Sequence, residues 1–310
     1  MNKLIDVHVH FLSKEYLNFL KKHNATLEDG FPLPTYNLDE HLKLNKDANI
    51  EKSYLSISSP HPYFEGYEEE SISMCRLLNE QMFNLKKENN SLGYFACLPL
   101  PNIKASIQEL NYSKDKLNAD GIKLASNSRG LYLGDKSLDP LMEEMNKRNT
   151  ICVIHPSKPE PIKEGLFSSG PVPLYEFIAD TTRAVLNLIG NNVILRYPNI
   201  KWIIPHSGSF LPNIYNRFIG ISKILDLNID IKESFNRLYY DVSGLSSNEA
   251  LNLLLSITTP DHLLYGSDYP FTPINQIISN LDILPNIDFY NNAIMLFEYR
   301  GQKYINITTE

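Results

Sequence analysis

Eight short runs rich in β-branched and aromatic residues, each followed by a longer segment with helical spacing, constrain this chain more than any other feature. The runs cover residues 4–11, 53–58, 92–98, 121–125, 151–155, 202–206, 238–242 and 263–267. Helical patterns fill much of the remainder, including 16–22, 68–87, 103–117, 138–148, 174–195 and 248–257. Strands alternating with helices build right-handed βαβ units around a parallel sheet. Eight such units in 310 residues fit an α/β chain of the (β/α)8 TIM-barrel type better than a doubly wound open sheet. The polar, Gly/Pro-punctuated stretch 24–37 reads as a small insertion after the first strand. No repeat, low-complexity tract or interdomain linker interrupts the pattern, so a single domain over residues 1–310 is expected.

In such a barrel the polar residues that end the strands meet at one rim. His8 and His10 end the first run, His155 the fifth (ICVIHPS) and His206 the sixth (WIIPHSG), while Asp268 follows the eighth (LLYGSDYP). Residues two apart on a strand share a face, so His8 and His10 stand side by side with Val7, Val9 and Phe11 opposite. Taken alone, an H-x-H pair is either a metal-binding pair or two hydrogen-bonded strand residues. Five polar residues at five C-terminal strand ends are a stronger signal. Three histidines and an aspartate suffice to hold one divalent ion and leave a position open.

The other histidines separate by position. His23 and His41 fall on helical or loop segments and are expected to be solvated, and His262 precedes the eighth strand at the opposite face. His61 follows the second strand in the loop SPHPYFEGY, where it either touches substrate or serves the loop. The 24–37 insertion and loops 59–67, 126–136 and 156–173 all open on the same rim, where loops build active sites. Tyr63, Phe64, Phe167 and Tyr175 are either ring-stacking residues or loop anchors.

Composition narrows the class. The formal net charge is −7, which leaves no nucleic-acid footprint. No apolar run approaches membrane-spanning length, and the N-terminus has no signal-peptide pattern, so a cytoplasmic protein is expected. Cys75, Cys97 and Cys152 are odd in number and widely spaced, as buried free thiols are.

Taken together, HVH, IHPS, PHSG and GSDYP, in this order, resemble the amidohydrolase superfamily. More narrowly they are similar to its metal-dependent non-oxidative decarboxylases, the branch of the aminocarboxymuconate semialdehyde, γ-resorcylate and 6-methylsalicylate decarboxylases. GIKLASNSRGLYLGD, LDPL, TTRAVLNLI, RYPNIKWIIPHSG, YYDVSG and LLYGSDYPF extend the likeness over nearly the whole chain. By position, the resemblance implies that His8, His10, His155 and Asp268 hold the metal and that His206 is the catalytic histidine beside it. It also implies that Arg217 binds a substrate carboxylate in the neighbouring subunit of a homodimer, although an ordinary solvated helix arginine fits the same pattern.

Two departures from the branch stand out. Where relatives often carry a glycine pair, this chain reads His206-Ser207-Gly208-Ser209-Phe210, which narrows the space after the catalytic histidine. Lys123 on the fourth strand has an inward-facing option, as the metal-bridging lysine of binuclear relatives does, but it also suits a decarboxylase strand. Asp241 in YYDVSG either orients an imidazole or caps the following turn, and Asp6 raises the same choice.

The activity implied is loss of CO2 from a small hydroxybenzoate-like or muconate-type acid. It would use one divalent ion, zinc first and manganese second, with no organic cofactor, and His206 and Asp268 as proton handlers. The rival expectation is hydrolysis of a lactone or amide by a metal-activated water.

Overall fold

Apolar strand runs, buried along nearly their whole length, place eight parallel strands side by side in the computed structural model, which describes residues 2–162, 170–244 and 247–298. The strands are β1 (Leu4–His10), β2 (Ile50–Ser56), β3 (Leu92–Cys97), β4 (Gly121–Ala125), β5 (Ile151–His155), β6 (Lys201–Ile204), β7 (Leu238–Asp241) and β8 (Leu263–Leu264). They pair in chain order, each with the next. Two isolated bridges, Asp6 with Tyr265 and Val9 with Tyr269, bring β8 back to β1 and close the ring. The expected (β/α)8 barrel is therefore the observed fold.

Two apolar layers follow from strand alternation. Ile5, Val7, Phe95, Ile151, Val153, Ile203 and Leu264 fill the inside together with Ala293 and Leu296 of the last described helix, Phe289–Glu298. Ile122, Leu124, Trp202 and Ile204 belong to the larger layer between strands and helices. Lys123 thus lies on the inward face of β4.

Three local departures have physical causes. Val7 packs inside the barrel, not with Val9 and Phe11 in the outer layer. The β1–β2 register shifts between Asp6 and Val9, and such an irregularity changes which face a side chain takes. This lets Val7 and His8, one residue apart, both face inward. β8 keeps only two ladder residues, because Ser267 N–H donates to the Asp6 carboxylate instead of a neighbouring strand. The helix expected over 174–195 is divided into Glu176–Gly190 and Val193–Arg196, with Asn192 in the left-handed conformation at the break.

His23 and His41 are corrections to the sequence reading. The His23 ring stacks on Phe64, and the His41 ring is fully buried against Tyr269 with Nδ1 3.0 Å from the Tyr36 hydroxyl. Neither is solvated. His262 hydrogen-bonds the Leu238 carbonyl at the start of β7, on the side away from the rim. The three cysteines are buried and free. Among the described residues, no helix is long and apolar enough to cross a membrane.

Candidate metal centre

The inward turn of β1 brings His8 Nε2 and His10 Nε2 to 3.1 Å from each other. Asp268 Oδ1 lies 3.1 Å from His10 Nε2 and 3.5 Å from His8 Nε2. His155, at the end of β5, completes a group whose ligand atoms all lie within 4.8 Å of one another, and His8, His206 and Asp268 form a second, overlapping group. Two nitrogens on a tetrahedral zinc with ordinary bond lengths sit about 3.3 Å apart, so the His8–His10 spacing suits a shared ion. Two imidazole nitrogens facing each other at that distance cannot both keep a lone pair without a cation or proton between them. The donor set therefore fits a divalent metal.

Outer partners set which nitrogen faces the centre. His8 Nδ1 is 2.9 Å from Asp241 Oδ2, and His155 Nδ1 donates to the Pro156 carbonyl at 2.8 Å. With Nδ1 carrying the proton, Nε2 of each is left free to ligate. Asp241 does more than hold His8: its Oδ1 accepts the His206 N–H, the Ser243 N–H and the Ser243 hydroxyl. It both orients an imidazole and caps the turn after β7. Asp6 is a tie between strands, accepting the N–H groups of His8 and Ser267.

The backbone is strained at this rim. His206 (φ 55°) and Asp268 (φ 60°) are both left-handed, which costs of order 1 kcal/mol or more for a residue with a side chain. Asp241 restrains the first; the second is restrained by its N–H bond to the His8 carbonyl. Gly266 has a steric reason: a Cβ there would come within 2.9 Å of His8 Cβ and 3.1 Å of Asp241 Cγ.

Burial dominates the protonation of the cluster. It drives His10 down to about 4 and His155 well below the usual histidine value. His206 is also lowered, by burial and then by His8. Burial pushes His8 down as well, yet the Asp241 carboxylate beside it overrides this and lifts it to about 9. Burial opposes ionisation of Asp268, but hydrogen bonding from His10 and the charge of His8 hold it at about 2. Neutral His10 and His155 beside the ionised Asp268 are already in the forms that bind a cation, whereas His8 holds an extra proton that an ion binding at Nε2 would displace.

Next to the cluster opens a cavity of about 240 Å3, to which His155, His206 and Asp268 contribute polar walls. Phe31, Leu33, Phe177, Ile178 and Phe271 supply apolar ones. These differ from the aromatic residues singled out in the sequence. Tyr63 borders a separate small recess, Phe64 stacks on His23, Tyr175 is exposed, and Phe167 lies outside the described residues. The Phe210 ring packs near Tyr175, not on the cavity wall.

His61 and Arg217 are not brought to the cluster. His61 Nε2 is 2.8 Å from the Leu98 carbonyl, and the residue borders the recess with Tyr63. Arg217 is exposed on the helix Leu211–Ile224 and forms no ion pair among the described residues. Lys123 is fully buried, its Nζ 3.5 Å from the Ser58 carbonyl across the barrel, and burial lowers it to about 8.

A barrel with this donor set at the C-terminal ends of its strands defines a metal-dependent amidohydrolase fold, and the amidohydrolase family model matches residues 5–279. The chain belongs to that family, in the branch of metal-dependent non-oxidative decarboxylases. Decarboxylase macB of Penicillium terrestre is 33% identical to it over 300 residues, covering 89% of this chain and 86% of the relative. The 6-methylsalicylic acid decarboxylase of Penicillium expansum is 25% identical over 284 residues, covering 88% and 87%. A crystal structure described as amidohydrolase II superposes with a TM-score of 0.90 at 33% identity, over 96% of this chain and all of the other. The dihydroxybenzoic acid decarboxylase of Polaromonas sp. JS666, solved with manganese and 2-nitroresorcinol, has a TM-score of 0.77 at 20% identity, covering 97% and 98%.

Proposed function

We propose that this chain removes CO2 from a small hydroxylated aromatic acid, using one divalent ion and no organic cofactor. The observation that carries the reading is the convergence of His8, His10, His155 and Asp268 beside a cavity with apolar, partly aromatic walls. Relatives that are decarboxylases by name support the reaction class. Zinc suits the three imidazoles, and manganese is the alternative.

His8, His10, His155 and Asp268 would hold the ion, which would supply Lewis-acid polarisation of the substrate. The chain's own residues do the rest. Phe31, Phe177 and Phe271 exclude water and accept a flat ring. His206 and Asp268, with Nε2 3.9 Å from Oδ2, relay to the ring carbon a proton taken up from solvent as its bond to the carboxylate breaks. The bonding electrons stay with the ring, the proton takes the vacated position, and CO2 leaves. Arg217, exposed on its helix, acts on a substrate carboxylate in the partner subunit of a homodimer. His61 stays at the edge of the substrate loop.

The test combines metal analysis of purified protein with CO2 release from hydroxybenzoates and muconate semialdehydes. One metal per chain and CO2 from a hydroxybenzoate are expected. His206→Ala should lower turnover at least a hundredfold while the metal is retained. An acid product without CO2, or two metals per chain, would overturn the proposal and favour hydrolysis with Lys123 as a metal-bridging residue.

A further inference from the structure

Four loops open on the metal-bearing rim, and one side chain joins them. Arg129 sits at the tip of a small antiparallel hairpin, Asn127–Ser128 with Leu131–Tyr132, in the loop after β4. Its guanidinium grips the Glu28 carboxylate of the 24–37 stretch at two points, Nη1 to Oε1 at 2.8 Å and Nη2 to Oε2 at 3.4 Å. Nε and Nη2 also donate to the Tyr63 carbonyl of the loop after β2, at 3.2 and 3.0 Å. The guanidinium lies 5.1 Å from the centre of the Phe64 ring in the same loop. Glu160 Oε2, in the loop after β5, is 4.0 Å from Nη1.

The hairpin turn alone does not call for an arginine. Arg129 (φ 51°) and Gly130 (φ 82°) are both left-handed, as two-residue hairpin turns require, and Asn-Gly or Gly-Gly meets that demand with less strain. The strain is kept at the one residue whose side chain makes all of these contacts.

What the guanidinium holds is a wall of the cavity. Phe31 and Leu33 of the 24–37 stretch line the same cavity as His155, His206 and Asp268, and Glu28 precedes Phe31 by three residues. Between them Gly30 is left-handed at φ 66°, and the Asp29 carbonyl accepts the Val172 N–H at 2.9 Å. Among the described residues that is the only backbone hydrogen bond from 28–33 to another loop. The Glu28 pair is the second tie. It is bidentate and partly buried, the geometry in which an arginine–carboxylate pair contributes most.

We propose that Arg129 is a positioning residue: its grip on Glu28 pins the 24–37 stretch so that Phe31 and Leu33 stand as a wall of the cavity. Ligand affinity then depends on that grip, and the metal centre does not. That the ligand is an aromatic acid rests on the decarboxylase reading; the grip itself does not.

Amide exchange and calorimetry on the zinc-loaded enzyme test this together. Arg129→Asn removes the guanidinium and leaves a residue the turn prefers, while Glu28→Gln removes the charge from the other side. In both variants the Gly30 and Val172 amides should exchange about tenfold or more faster than in wild type, with β3 to β5 still protected. Salicylate and 2-nitroresorcinol should bind about tenfold or more weakly, with zinc affinity within twofold of wild type. The double variant should match Arg129→Asn, because Glu28 acts through Arg129. Wild-type exchange in Arg129→Asn, faster exchange with unchanged probe affinity, additive losses in the double variant, or an equal loss of zinc affinity overturns the proposal. If wild type binds neither probe and releases no CO2 from hydroxybenzoates, the decarboxylase reading fails, and exchange at Gly30 and Val172 alone decides the grip.

Discussion

Asp241→Asn isolates the role of the carboxylate behind His8. The substitution preserves shape, and the donors around Asp241 dictate how the amide must sit. Three of them, the His206 N–H, the Ser243 N–H and the Ser243 hydroxyl, converge on Oδ1, so the amide oxygen takes that place. The NH2 group then occupies the Oδ2 position, 2.9 Å from His8 Nδ1. Two donors would meet there unless His8 moves its proton to Nε2. That nitrogen faces His10 Nε2 at 3.1 Å, so the proton would fill the lone pair needed by the metal. Losing an outer carboxylate of this kind costs ten- to hundredfold in metal affinity, about 1.4 to 2.7 kcal/mol. Competition against a chromophoric chelator measures it, with circular dichroism to verify the fold. Metal affinity within threefold of wild type in a folded Asp241→Asn protein would refute the tautomer argument.

Three further outcomes follow from burial and assembly. His41 is lowered to about 4 by burial, below its unfolded value of about 6.5. Between these values the unfolded chain takes up a proton that the folded one refuses, so stability falls as pH drops through this window, by up to roughly 3 kcal/mol. His41→Phe should make denaturant-derived stability fall less steeply as pH drops from 6.5 to 4, the other buried histidines supplying the remaining slope, and a slope parallel to wild type would refute it. Lys123 is lowered from 10.5 to about 8 by burial, a cost carried in full below pH 8 and relieved as pH rises to 10.5. Lys123→Met should raise thermal stability at pH 7, by at most about 3 kcal/mol, with the gain shrinking above pH 8; a lower melting temperature at pH 7 would count against it. Mixing inactive Arg217→Ala and inactive His206→Ala subunits should restore up to about a quarter of wild-type CO2 release if Arg217 serves the partner's site, and none if each subunit works alone.

The barrel and the rim residues were legible because both are written in short-range pattern. Apolar strand runs end in His10, His155, Pro205-His206 and the Gly266-Ser267-Asp268 turn, and the barrel topology alone brings those ends together. Alternation failed at Val7, because the register shift opposite Ser53–Leu55 depends on the neighbouring strand. His41 misled for a related reason. Its covering partner Tyr269 lies far along the chain, so a polar-looking helix position is in fact core. The 24–37 stretch was placed at the rim, but Asp29 and Phe31 were not picked out within it, because they sit in irregular chain whose course is set by contacts such as Asp29 with Val172. The cavity's aromatic walls were partly within reach: Phe271 belongs to the GSDYPF motif, but nothing local shows which way its ring turns.

The weak join between the first and last strands has a mechanical meaning. β8 contributes only two residues to the sheet, and the chain just beyond it is tied to β1 by two isolated bridges and by the N–H groups of Ser267 and Asp268, which donate to the Asp6 carboxylate and the His8 carbonyl. Two of the proposed ligands come from β1 and a third, Asp268, from the chain just beyond β8. An ion gripping all three is a clasp on the hoop, fastened where the hoop is thinnest. Demetallation should then loosen residues 263–269 before the rest of the barrel, appearing as faster amide exchange there while β3 to β5 stay protected. Catalytic competence and closure of the ring would be lost in the same event.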